Sequence, residues 1–205
     1  MSSNNNDQDE KITIKKLTKE EQKLIGCTDK ELLEYYDYTV KWLQTQVKNA
    51  GASGVVLGIS GGVDSALVSK IAADAFPGRS IGVSINLNSF PNFQKHSREV
   101  ILFTGIKHIS LSISDIYSSL WQKIDSVTTL KSNELAKANV KPRMRMTVLY
   151  YIASKYKYLV VGTDNADELY LGYFTKYGDG GVDLLPIAKL NKAQVRRLTR
   201  LKGFP

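Results

Sequence analysis

The residues best suited to chemistry stand in one octet, Gly58-Ile59-Ser60-Gly61-Gly62-Val63-Asp64-Ser65. Two adjacent glycines let a backbone turn sharply and bring its N–H groups close to an anion, and a helix starting just beyond aims its positive end at the same point. The octet has the makings of a phosphate cradle. It is not a Walker A loop, because no Lys-Ser or Lys-Thr pair follows the glycines, and it lacks the third spaced glycine of the dinucleotide fingerprint. Asp64 is the informative member. A carboxylate beside a polyphosphate is repelled unless a divalent cation lies between them, so magnesium ligation fits it best. The bland alternative is a glycine turn closed by a helix-starting aspartate.

Three further stretches carry chemical side chains. Gly162-Thr163-Asp164-Asn165-Ala166-Asp167-Glu168 reads as a helix start with Asp164 and Glu168 four apart on one face, placed to help hold a hard cation or simply to offset the helix dipole. Phe174 to Pro186 is a glycine-rich loop carrying Lys176, Asp179 and Asp183, long and polar enough to serve as a substrate loop. Asn139 to Met146 reads as the opening of a long helix with Pro142 in its first turn. Lys141, Arg143 and Arg145 would then oppose the dipole by ~0.3–1 kcal/mol each, a conflict that an anionic partner removes; a solvated basic turn is the alternative.

The elements that must position these groups alternate. Val55 to Leu57 is a strand leading into the octet, and a helix follows; Ser80 to Leu87 is a strand, 92–103 a helix, 107–111 a strand, 113–124 a helix and 158–161 a strand. Such alternation predicts an α/β fold, a Rossmann-like parallel sheet with helices on both faces, and puts the octet at the carboxyl end of its strand. Before it, the capping-box pattern Thr28-Asp29-Lys30-Glu31 opens a helix whose Leu33, Tyr36, Val40, Leu43 and Val47 share a face until Gly51. At the other end Asn191-Lys192-Ala193-Gln194 caps a last helix that should stop at Gly203. Residues 1–17, polar at the start, are expected to be a disordered tail, and 18–205 one domain.

The 28 Lys and Arg against 20 Asp and Glu give a net charge of +8, which favours anionic ligands. The basic residues are scattered rather than gathered in an arm or stripe, which argues against nucleic acid. A single cysteine, Cys27, allows no internal disulfide and no thiolate metal set. The apolar runs are short and the start is polar and acidic, so neither a membrane span nor secretion is expected, and the location is read as cytoplasmic.

The octet resembles the signature loop of the N-type ATP pyrophosphatases, which cleave ATP between its α and β phosphates. The ordered match of Gly162-Thr163-Asp164, Glu168 and Gly172 to Pro186, together with Lys141 to Met146, is similar to NAD synthetases in particular and extends from about residue 30 to the end. The resemblance implies an adenine nucleotide alpha hydrolase-like fold and ATP-dependent amidation of deamido-NAD by ammonia, through an acyl adenylate, giving NAD, AMP and pyrophosphate. It implies ATP contacts from Gly58, Ile59, Ser60, Gly61, Gly62, Val63, Asp64, Ser65, Thr163 and Lys192, and Mg2+ held by Asp64 and Glu168. Deamido-NAD contacts fall to Arg143, Lys176 and Asp183. Asp64, Lys192 and Asp179 become the catalytic set, with Asp179 or Asp183 as base or ammonium site. Homodimers are the family pattern, with the helices at 29–50 and after Pro142 as interface candidates. Ammonia rather than glutamine is the expected donor, since the lone Cys27 does not supply a glutaminase. Two departures stand out: the sequence stops before a C-terminal segment common in the family, and Asn165 and Asp167 replace a frequent His and Ala. The rivals are a nucleotide-binding but inactive short form and a tRNA-modifying ATP pyrophosphatase.

Overall fold

Chain order in the computed structural model runs α1 (Asp29–Asn49), β1 (Gly54–Gly58), α2 (Val63–Ala75), β2 (Ser80–Asn86), α3 (Pro91–Thr104), β3 (Lys107–Ser112), α4 (Ser114–Asp125), α5 (Glu134–Tyr156), β4 (Tyr158–Val160), α6 (Ala166–Leu171) and α7 (Lys192–Leu201). The structure describes residues 26–87, 91–130 and 133–204; the tail expected at 1–17 lies outside them. The strands form one parallel sheet in the order β3-β2-β1-β4, with Val55 opposite Ser80 on one side and Leu159 on the other.

β1 is central, and its Val55, Val56 and Leu57 are fully buried, which is why it reads as a continuous apolar run rather than an alternation. Val55 and Leu57 join the core shared with α1, α2 and α7, while Val56 joins the opposite core with α4 and α5. Helices thus cover both faces, as the alternation predicts. Each fully buried leucine, such as Leu43, Leu57, Leu67 or Leu198, contributes about 1.5–3 kcal/mol. Backbones approach too closely for side chains at two strand glycines: a Cβ on Gly54 would lie 2.0 Å from the Arg79 carbonyl, and one on Gly82 2.2 Å from Ile59 Cδ1.

Polar ties fix α1 and α7 to this frame. The Thr28–Glu31 and Asn191–Gln194 capping boxes form as the sequence predicts. Arg197 of α7 donates to Asp29 at 2.6 Å and to the Cys27 carbonyl at 2.8 Å, closing the last helix onto the start of the first. Tyr36 of α1 donates to Asp74 of α2 at 2.6 Å, and Lys70 donates to the same carboxylate at 2.5 Å.

Two expectations need correction. The long helix α5 starts at Glu134, capped by Asn133, whose side chain accepts from Ala136 N at 2.7 Å. Pro142 therefore lies two turns inside it, and Lys141, Arg143 and Arg145 are not at the positive end; the good cap and the helix-forming Glu134 to Lys137 outweigh the proline. Likewise α6 begins only at Ala166, with Asn165 as its N-cap, so Asp164 precedes the helix and does not share a helical face with Glu168.

Candidate active site

The strand order reverses between β1 and β4, and the loops leaving their carboxyl ends flank one crevice, where open parallel sheets receive ligands. On the β1 side, Gly61 adopts φ +81°, open to glycine without strain, and Gly62 becomes the N-cap of α2 with no side chain capping it. Two serines hold the loop instead: Ser60 Oγ accepts from Gly62 N at 3.2 Å, and Ser65 Oγ donates to the Gly62 carbonyl at 2.9 Å. The first turn of α2 is thus left without a capping side chain on its N–H groups, which suits an anion at that helix start.

Three helix starts meet at Asp64. Its Oδ2 pairs with Lys192 Nζ from the start of α7, and its Oδ1 accepts from Asn165 Nδ2 at 2.9 Å. Glu168 Oε1 lies 3.8 Å from the same Lys192 ammonium. Asp167 joins the cluster by accepting from Lys192 N at 2.8 Å. The carboxylates of Asp64 and Glu168, 104 residues apart in the chain (168 − 64), thus converge on one cation. Nearby Asp164 is 5% exposed and its Oδ2 has no hydrogen-bond partner. Burial first, then the charges of Asp179, Glu168 and Asp64, push its carboxyl up to about 7.

A cavity of about 660 Å³ opens beside the loop, lined by Gly58, Ile59 and Ser60, by Thr163 beyond β4, and by Asp179 of the glycine-rich loop. That loop is tightly folded: a Cβ on Gly162 would lie 2.7 Å from both Val182 and Leu185, and one on Gly180 2.5 Å from Phe174. Asp179 Oδ1 accepts from Thr175 N at 2.9 Å, and Thr175 Oγ1 donates to Asn139 of α5 at 3.2 Å.

The residues singled out from the sequence fall into three groups. Gly58, Ile59, Ser60, Thr163 and Asp179 line the cavity; Asp64, Glu168 and Lys192 form the charged cluster that the Gly58 to Ser65 loop leads into. Arg143, Lys176 and Asp183 stand outside the lining, as do Gly61, Gly62, Val63 and Ser65 at the turn into α2. Arg143 Nε donates to the Lys176 carbonyl at 3.1 Å, and Lys176 is exposed beside the Tyr177 ring. Asp183 is occupied structurally, accepting from Tyr150 Oη at 2.9 Å and from Val160 N at 2.7 Å. Arg145, rather than Arg143, reaches the cavity; burial lowers its pKa, while the charge of Asp179 acts in the other direction.

Sequence reasoning passed over a second wall. Ser84 and Asn86 of β2 stand opposite Ser110 and Ser112 of β3, and all four line the cavity with Ser97 and Arg98 of α3. Ser84 Oγ lies 3.0 Å from His108 Nε2. The period-two placement of Ser80, Gly82, Ser84 and Asn86 was a readable signal of a polar face; which strand would pair with it was not.

A parallel α/β sheet with a glycine loop and carboxylates at its switch point defines a nucleotide-binding enzyme fold. The model of the NAD synthase family matches residues 35–205. An NH3-dependent NAD+ synthetase of Mesoplasma florum is 46% identical over 175 residues, 85% of this chain and 71% of that protein, and one of Carboxydothermus hydrogenoformans is 43% identical over 81% and 68%. Among solved structures, an NMN synthetase from Francisella tularensis aligns at TM-score 0.79 and 35% identity, covering 85% of this chain and 71% of that one. The NH3-dependent NAD synthetase of Campylobacter jejuni aligns at 0.78 and 26%, over 84% and 74%. The chain belongs to the NAD synthase family. Neither the inactive short form nor the tRNA-modifying reading is favoured by these relatives.

Proposed function

We propose that this protein amidates deamido-NAD with ammonia at the expense of ATP, giving NAD, AMP and pyrophosphate. The observation that carries the reading is the convergence of Asp64, Glu168 and Lys192 at the start of the phosphate-loop helix, in a chain of this family. Ammonia cannot displace oxide from a carboxylate directly, because oxide is a poor leaving group. The nicotinate oxygen therefore attacks the α-phosphorus as the bond to pyrophosphate breaks, and ammonia then attacks the acyl carbon as AMP leaves.

The residues present fit a magnesium ion. Asp64 and Glu168 already direct oxygens at one cation, the Lys192 ammonium. Two carboxylates suit magnesium, which is commonly held by one or two of them together with substrate phosphates. Bound there, magnesium neutralises charge on the departing pyrophosphate. The chain's own part is to orient. The N–H groups of the Gly58 to Ser65 loop and the first turn of α2 receive the phosphates, and Lys192 turns its ammonium to them. Thr163 bounds the nucleotide from the β4 side, and Arg143 and Lys176, exposed at the rim, meet the anionic dinucleotide. Asp179 is assigned to hold ammonium and take its proton: it lines the cavity with one oxygen bonded to Thr175 N, whereas both oxygens of Asp183 accept, from Tyr150 and Val160. Holding two anions in register supplies much of the rate.

A homodimer belongs to the same reading. The apolar face of α1 is spent in the core through Leu32, Tyr36, Leu43 and Val47, whereas Ile116, Leu120 and Ile124 of α4 are 55%, 42% and 47% exposed in one helical row and support a partner there. The likeness to an NMN synthetase favours a second reading of the acceptor, nicotinate mononucleotide. Purified chain given Mg-ATP, ammonium and either acceptor, beside Asp64→Ala, tests both. Stoichiometric amide and pyrophosphate, abolished in the variant, are expected with the dinucleotide preferred; preference for the mononucleotide reassigns the substrate, and nucleotide binding without products ends the proposal.

A further inference from the structure

Asn165 is the least exposed polar side chain of the charged cluster, at 0%. Its position as N-cap of α6 explains three of its four hydrogen bonds: Oδ1 accepts from Asp167 N at 3.0 Å and Glu168 N at 3.1 Å, and its backbone N–H donates to Glu168 Oε2 at 3.1 Å, closing a capping box. From the side chain a cap needs only Oδ1. The amide nitrogen does something else, donating at 2.9 Å to Asp64 Oδ1, 101 residues away in the chain.

One residue therefore pins one oxygen of each carboxylate, and the two remaining oxygens, Asp64 Oδ2 and Glu168 Oε1, are the pair that meets Lys192 Nζ. Without the Nδ2 donor, Asp64 can rotate about χ2 and no longer presents a fixed oxygen to the point it shares with Glu168. We propose that Asn165 is a positioning residue that sets the geometry of the Asp64–Glu168 cation site by holding both carboxylates from behind. The inference rests on the magnesium reading above. Groups that orient ligating carboxylates typically change metal affinity by 10- to 100-fold when removed.

The test separates capping from positioning. Asn165→Ser keeps a good cap but is too short to reach Asp64. Mn2+ binding to the full chain is followed by electron paramagnetic resonance in the presence of α,β-methylene-ATP, with Asp64→Asn as reference. About a tenfold weaker Mn2+ affinity in Asn165→Ser, at a melting temperature near the parent's, is expected. Asn165→His, which keeps one donor and one acceptor, should bind Mn2+ more tightly than Asn165→Ser. Parent-like affinity in Asn165→Ser with weak binding in Asp64→Asn overturns the positioning role and leaves the metal reading intact; parent-like affinity in both overturns the two together. Should Asn165→Ser not fold, Asn165→Thr, equally a cap and equally short, carries the comparison.

Discussion

Replacing Lys192 with methionine keeps the packing of the aliphatic stem and deletes the one ammonium shared by Asp64 and Glu168. The side chains of Lys192 and Asp64 are 36% and 14% exposed, so the pair lies between a surface ion pair, worth 0–1 kcal/mol, and a buried one, whose truncation costs about 3–5 kcal/mol. A loss of ~1–2 kcal/mol follows, or roughly 2–8 °C in Tm for a chain of this length. Metal response then changes sign relative to stability. In the parent a divalent ion must displace Lys192 from Asp64, whereas in Lys192→Met those oxygens are already released, so Mg2+ without nucleotide should bind about tenfold more tightly and restore Tm further than it does in the parent. Turnover moves the other way: KM for ATP should rise, because a phosphate-facing cation is gone. Differential scanning calorimetry across a Mg2+ series, followed by pyrophosphate release, reads both effects. A variant whose Tm matches the parent without metal, and whose gain on adding Mg2+ is no larger, would refute the reasoning.

Other outcomes can be stated briefly. Asp164 has a carboxyl pushed up to about 7 in the folded chain, above its ordinary 3.8, so its contribution to stability is full below about pH 4 and is lost as pH rises through 7. Asp164→Asn should flatten that decline and raise Tm at pH 8, measured by thermal melts from pH 4 to 8 without metal; an unchanged slope would count against it. Gly162→Ala forces a Cβ to within 2.7 Å of Val182 and Leu185, and should cost ~1–3 kcal/mol while shifting the loop that carries Asp179, seen as lost stability in urea together with a raised KM for ammonium. Tyr36→Phe leaves the Asp74–Lys70 pair but removes a hydrogen bond to a carboxylate, with ~1.5–3 kcal/mol lost in urea melts and little change in KM. Asp179→Asn should lower turnover most at subsaturating ammonium, with ATP binding preserved; equal turnover at all ammonium concentrations would reassign the proton acceptor.

Local information determined a great deal of this protein. The octet at Gly58 to Ser65, the capping boxes at Thr28 and Asn191, and the alternation of strand and helix are short-range patterns, each set by backbone sterics and by which side chains can satisfy nearby N–H groups, so they can be read before any fold is known. Element ends were less legible: Pro142 reads as a helix opener because proline is at home there, yet Asn133 supplies a better cap eight residues earlier than Lys141, and favourable packing of α5 carries the helix through the proline. The resemblance singles out Arg143, but which of Arg143 and Arg145, about 200° apart in helical azimuth, faces the cavity is set by the placement of α5 on the sheet, which turns Arg145 there. The polar wall of Ser84, Asn86, Ser110 and Ser112 needed the β2–β3 register. Above all, Asp64 stands out within its octet while Asn165, Glu168 and Lys192 read locally as helix-start residues, and no short-range pattern says that the four meet. They meet because the sheet order brings the carboxyl ends of β1 and β4 side by side and α7 docks across them, and only long-range packing can decide that.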